Sequence, residues 1–249
     1  MAVIYLLAHF DDEYCALPLV TADVAAGADP WFLYVCDYAK PDLTRRRFDE
    51  TKALLAYLGV DPSRALHVGA GTGAQDGIVH RALPAAYAAI QAAVAEIGPV
   101  SRIVVTAWEG GHADHDMCAL MAATLAAELG DPPIETISLY NGPRLPGPFF
   151  HGAWPLPENG PVRRVRLTLS GWLHWMAAVR FFPSQAKSWL GLWPTMFLTY
   201  ARRGFGVQRL DPARVRERPH AGTLFYERMF KVPYPEVRAA ADAFLAGQD

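Results

Sequence analysis

The sequence predicts an α/β fold: a Rossmann-like, mainly parallel sheet with helices on both faces. Three observations predict it. Short continuous apolar runs alternate with longer helix-like segments over the first 141 residues. The first of them, "VIYLLA" (3–8), is apolar throughout rather than at every second residue, as a strand covered on both faces is. Several of the helix-like segments close on a glycine, a common helix terminator.

In chain order, "VIYLLA" (3–8) reads as the first buried strand. Residues 14–27 read as a helix closed by Gly27. "WFLYVC" (31–36) is a second strand, and "TRRRFDETKALLAYLG" (44–59) an amphipathic helix ending at Gly59. "ALHVG" (65–69) is a short third strand. "RALPAAYAAIQAAVAEIG" (81–98) is an Ala-rich helix, entered near Pro84 and closed by Gly98. "RIVVTA" (102–107) is a fourth strand, "DHDMCALMAATLAAELG" (114–130) a helix, and "TISLYN" (136–141) a fifth strand. Strands alternating with helices imply right-handed crossovers and parallel pairing. Ligands of such sheets bind beyond the C-terminal strand ends.

After residue 142 the pattern changes. Residues 141–161 are rich in Pro, Gly and aromatics and read as a long loop. Residues 162–170 alternate basic and apolar residues, as a half-exposed strand would. Residues 171–203 read as largely helical, broken by Pro183 and Pro194, and carry Trp172, Trp175, Trp189 and Trp193. "GTLFYERMF" (222–230) suggests a late strand, and 234–247 a closing helix. The expected organisation is one domain over 1–249, with a core of about 1–142 and an aromatic-rich part, 143–249.

The chain has 249 residues, is 52% hydrophobic and carries a formal net charge of -2. That length suits a single large core, and the charge gives no electrostatic case for nucleic acid. Cys15, Cys36 and Cys118 are odd in number and lack CxxC spacing, as expected of a reducing compartment. With no secretion signal or spanning segment evident, the expected location is cytoplasmic.

Two charged clusters fall at predicted strand ends: "HFDDE" (9–13) and "WEGGHADH" (108–115). His9 and Asp12, three apart on a loop, can grip one ion, and His115 would complete a two-His, one-carboxylate set with a position open for water. Asp11 would remain free as a proton acceptor for the attacking water, and His112 to face an oxyanion or leaving amine. Helix capping by acids 11–13 accounts for one carboxylate, not for three beside a histidine. Two glycines before His112 would allow close backbone approach.

These stretches resemble one family. "AHFDDE" (8–13) is similar to the AHPDDE signature of the PIG-L/LmbE-like zinc N-deacetylases, and "HADH" (112–115) to their HPDH motif. "RRRFDETKALLAYLG" (45–59) resembles their Arg-x-x-Glu helix, and "FFPSQAKSW" (181–189) a late Ser-Gln segment. The resemblance implies a Rossmann-like sheet, His9, Asp12 and His115 as zinc ligands, and Asp11 as general base. It further implies His112 as the polarising group or acid, with Asp114 orienting it, Arg47 as a substrate contact, and Glu50 as either a substrate contact or a structural residue; Trp108, just before the second motif, is a further candidate substrate contact. The implied reaction is removal of an N-acetyl or similar acyl group from an amino sugar or related small-molecule amine. Fe2+ or Co2+ also suits such a ligand set in place of Zn2+. The chain departs from the pattern at Phe10 and Ala113, where prolines are usual, and lacks the tyrosine that some members place before the second motif.

Rival readings are a metallohydrolase of another amide or ester, and a binding protein of the same fold without turnover. "VGAGTGA" (68–74) fits a dinucleotide fingerprint, but a helix should open within that motif and "QDGIVHRALP" follows instead. His220 is a candidate for a second site. Residues 189–203 read either as core packing or as a greasy surface for a membrane or a second copy.

Overall fold

The computed structural model describes residues 1–248. Its elements are β1 (Ala2–Leu7), α1 (Asp12–Cys15), α2 (Leu17–Ala25), β2 (Asp29–Tyr34), α3 (Pro41–Tyr57), β3 (Ala65–His67), α4 (Leu83–Ile97), β4 (Val100–Thr106) and α5 (Ala113–Glu128). They continue as β5 (Ile134–Ile137), β6 (Tyr140–Asn141), β7 (His151–Gly152), β8 (Val162–Val165), α6 (Leu169–Ala178), α7 (Ala186–Arg203), β9 (Phe205–Arg209), α8 (Phe225–Met229) and α9 (Tyr234–Ala246).

Seven strands form one sheet in the order β3-β2-β1-β4-β5-β9-β8. The first five are parallel, and β9 and β8 add antiparallel at one edge. The expected α/β class and mainly parallel sheet are therefore the observed ones. The sequence-distant β8 and β9 belong to the same sheet as β1.

Side-chain alternation along β1 explains why two core faces form. Ile4 and Leu6 pack on one side with Leu33, Ile103, Val105 and α5. Val3, Tyr5 and Leu7 pack on the other with Phe32, Tyr34 and Val104, under the aromatic residues of α6 and α7. β1 is buried at every residue, which is why its sequence shows no polar alternation.

The order 3-2-1-4-5 places a topological switch between β1 and β4. The chain leaves β1 in one direction and returns to β4 on its other side. Loops following these two strands part there, and a crevice opens at their C-terminal ends.

Three expectations are corrected. Residues 222–230 are not a strand: they hold α8, and the amide of its N-cap residue Leu224 donates to Glu227 Oε2 at 2.7 Å. The late strand is instead β9, in a stretch where none was expected. Pro194 does not break its helix, since α7 runs through it. A proline forfeits the bond to the carbonyl four residues back. Here that carbonyl belongs to Leu190, an exposed residue, so water can satisfy it.

Candidate metal centre and active site

β1 ends at Leu7, and the chain turns sharply through His9–Asp11. Asp12 Oδ2 accepts the amides of Ala8 and His9, at 3.1 and 2.8 Å, which folds the loop back on itself. Asp11 has a φ of 150°, a strained value for a non-glycine residue. It carries its side chain into a cavity of about 220 Å³ at the switch point.

β4 ends at Thr106, and the second cluster follows. His112 caps α5: its Nδ1 accepts the Asp114 amide at 3.3 Å. Gly111 lets this segment lie directly on the next one, because a Cβ there would fall 1.9 Å from the Tyr140 carbonyl oxygen. His115, in the first turn of α5, then faces the β1 loop.

The two clusters meet. His9 Nδ1 lies 3.1 Å from His115 Nε2, and Asp12 Oδ1 lies 3.2 Å from the same nitrogen. His9 Nδ1 and Asp12 Oδ2 are 3.6 Å apart. Tetrahedral zinc with bonds near 2.0–2.1 Å requires ligand separations of about 3.3 Å. The three residues are buried, and two ring nitrogens facing each other at this range leave room for a cation between them and the carboxylate. The donor set fits zinc.

Asp114 is placed differently from expectation. Its Oδ2 lies 3.3 Å from His9 Nε2 and 3.6 Å from His112 Nδ1, and that ring nitrogen is already taken up by a backbone amide. The carboxylate is anchored by the amides of Gly77 and Val79 at 2.6 and 3.1 Å. Asp76 Oδ1 reaches the same His9 nitrogen at 3.2 Å. Asp114 and Asp76 thus back His9, on the side away from Asp12 and His115.

Electrostatics follow from this crowding. Burial opposes the charge on Asp12, but His115 and His9 beside it hold its carboxyl far below the usual range. Burial likewise opposes Asp114, and His112 and His9 outweigh it. Asp11 goes the other way: burial of its carboxyl and the neighbouring Asp12 raise its pKa well above the ordinary value. Burial pushes His112 down to about 4, so its ring is neutral at pH 7.

Other expected residues separate. Arg47 lines the cavity, its guanidinium stacked 4.4 Å over the Tyr38 ring. Glu50 accepts the amide and hydroxyl of Ser184, at 3.1 and 2.6 Å, and is outside the cavity lining. Trp108 is buried in the core and outside the cavity lining, its Nε1 donating to the Glu217 carbonyl. Phe10 is also buried, packed among Tyr34, Tyr38, Phe48 and His67. His220 sits apart from this cavity, bonded to the Ala221 carbonyl.

The structure adds residues to the cavity that the motifs did not single out, Asp76, Tyr140 and Phe230, and brings in Gln185 of the Ser-Gln segment. Asp76 follows the glycine-rich stretch 68–74. No helix opens within that stretch, and α4 begins only at Leu83, so the dinucleotide context is missing. Tyr140 is delivered by Glu109, a buried carboxylate that accepts the Leu139 and Tyr140 amides, the Ser138 hydroxyl and the Asn141 side chain at 2.5–3.0 Å. A buried Glu directly after a strand was the available signal.

The fold and site together define a parallel-sheet protein with a two-His, one-carboxylate centre at its switch point. Among solved structures it resembles a deacetylase of teicoplanin biosynthesis, with a TM-score of 0.64 and 18% identity over 85% of this chain and 99% of that one. It also resembles the A40926 pseudoaglycone deacetylase Dbv21, with a TM-score of 0.61 and 15% identity over 89% and 99% of the two chains. The N,N'-diacetylchitobiose deacetylase from Pyrococcus horikoshii gives a TM-score of 0.57 and 11% identity over 88% and 87%. At these identities the likeness is one of fold. No family model and no curated protein matches the chain.

Proposed function

We propose that this protein is a zinc-dependent hydrolase that removes an N-acetyl or similar acyl group from an amino sugar or related amine. The observation that carries the reading is the convergence of His9, Asp12 and His115 at the switch point, with Asp11 and His112 in the same cavity. Solved structures of the same fold include a deacetylase of teicoplanin biosynthesis and the N,N'-diacetylchitobiose deacetylase, which supports the substrate class.

In this reading His9, Asp12 and His115 would hold the metal. Zinc in such a site brings the pKa of water toward about 7 and polarises a carbonyl. Asp11, with its raised pKa, takes the proton of the attacking water and returns it to the departing amine. His112 donates to the developing oxyanion. Its Nδ1 is an acceptor for the Asp114 amide, so the neutral ring carries its proton on Nε2. Asp114 fixes His9 rather than His112, the outer-shell carboxylate arrangement common to metal-bound histidines. Arg47 meets the polar groups of the sugar or its leaving amine.

Cytoplasmic placement belongs to the same proposal. Cys15, Cys36 and Cys118 are free and buried, and among the described residues no helix is long and apolar enough to cross a membrane.

Metal content of the purified protein, beside His9→Ala and His115→Ala, tests the site. About one zinc per chain in the wild type and little in either variant is expected. Equal occupancy in all three would remove these ligands. A screen of N-acetylated amino sugars then tests the reaction, with Asp11→Asn expected to keep metal and lose at least about 100-fold in turnover.

A further inference from the structure

We propose that the α6–α7 face docks on a bilayer surface carrying anionic headgroups. The charge of the chain is strongly segregated. Residues 159–210 contain eight Lys and Arg and no Asp or Glu, leaving fifteen cations against all twenty-five acids elsewhere. A chain of nearly balanced net charge therefore presents one strongly cationic segment, and that segment builds α6, α7 and their flanking strands.

The same segment exposes apolar side chains. Four of the five exposed leucines among the described residues lie here: Leu169, Leu173, Leu190 and Leu198, each at least half exposed. Along α7 the outward positions recur at helical spacing as Lys187, Leu190, Pro194, Leu198 and Arg202. Apolar residues fill the middle and a cation stands at each end, the arrangement of a helix lying in a headgroup layer. Trp189 is buried, and Trp172 and Trp193 are half-buried. Trp175 is buried, and Trp193 stacks on it at 5.3 Å. The packing reading therefore holds for the tryptophans and does not cover the leucines.

Beside this stripe runs a groove of about 580 Å³, walled by Arg180, Trp189, Leu190, Trp193 and Pro194. Trp189 also walls the metal-site cavity. A docked lipid surface would thus lie next to the reactive site.

Charge selects the occupant. A second copy placed face to face by a two-fold axis would set two cationic segments against each other. A zwitterionic surface would leave the cations unused. Of the eight cations, Arg163 is already paired with Glu135, and anionic headgroups satisfy both the leucines and the other seven. The proposal stands whether or not the site hydrolyses an amide.

Co-sedimentation of the full-length protein with phosphatidylcholine vesicles, with and without phosphatidylglycerol, tests it. Binding to the anionic vesicles at least about ten-fold stronger than to the neutral ones, weakening with added salt, is expected. Lys187→Glu with Arg202→Glu should lower that binding at least about ten-fold. Leu190→Ser with Leu198→Ser should weaken it as well. All four positions are exposed, so unchanged circular dichroism is expected, and Leu129→Ser is the control. Absence of binding, equal binding to both vesicles, or wild-type binding by both double variants would overturn the proposal. So would a concentration-dependent dimer that Leu190→Ser disperses, since a second copy would then cover the face.

Discussion

Glu109 illustrates how one side chain places another. Its two oxygens take four donors from residues 138–141 and so hold Tyr140 at the cavity. Glu109→Gln puts an NH2 where an acceptor is needed and leaves buried donors unpaired, an expected loss of about 2–4 kcal/mol in urea unfolding. Gly111→Ala is expected to be worse for the site than for the sheet. The added Cβ would meet the Tyr140 carbonyl, so metal affinity should fall while far-ultraviolet circular dichroism is retained. His9, Asp11, Asp12, His112 and His115 were legible because each cluster is contiguous and ends a strand. Asp76, Tyr140 and Phe230 were not, because each reaches the cavity from a separate segment that only the folded chain brings there. Asp114 was legible as a participant but not in its contact. Which imidazole a carboxylate meets depends on side-chain geometry that spacing does not encode.

At the scale of elements, the parallel half was readable and the C-terminal part less so. β1 is covered on both faces and is a continuous apolar run, and the C-terminal halves of β2 and β4 are largely apolar and buried. β9, with the sequence Phe-Gly-Val-Gln-Arg, is five residues long and contains a glycine, so its pairing with β5 and β8 leaves little local trace. α8 misleads in the opposite sense: aromatic residues around 225–230 suggest a strand, yet Glu227 satisfies the N-cap amide and the Gly110 carbonyl takes the next. Trp175 holds α6 to α7 and to α1 through stacking with Trp193 and contact with Tyr14. Trp175→Ala should cost about 3–5 kcal/mol. Thermal melts read that loss, and a change below 1 kcal/mol would mean that the aromatic layer packs without it.

For the molecule as a whole, a sheet that includes both β1 and β8 argues for one cooperative unit. A single urea transition, coincident by tryptophan fluorescence and circular dichroism, is expected; two transitions would divide the chain near residue 142. Stability should also depend on pH through two histidines outside the candidate ligand set, the half-buried His67 and the buried His220. Burial holds the pKa of His67 and His220 below the ordinary histidine value of about 6.5. Below that value the unfolded chain binds protons that the folded one refuses. Their contribution is therefore fully present above about pH 6.5 and is lost as pH falls through the folded pKa values. His67→Gln should flatten the fall in melting temperature between pH 7 and 5.5; an unchanged slope would assign it to other groups.

The switch between β1 and β4 has a consequence for the order of events as the chain folds. His9 and Asp12 precede β2, α3, β3 and α4, and His115 follows them, so roughly a hundred residues must be wound into place before the three can share one ion. Closing so long a loop costs entropy that no local contact repays in advance. A metal captured there would arrive late. It would slow the escape from the native state and leave the rate of reaching it unchanged. The ion would then act as a latch, set only after the door has shut.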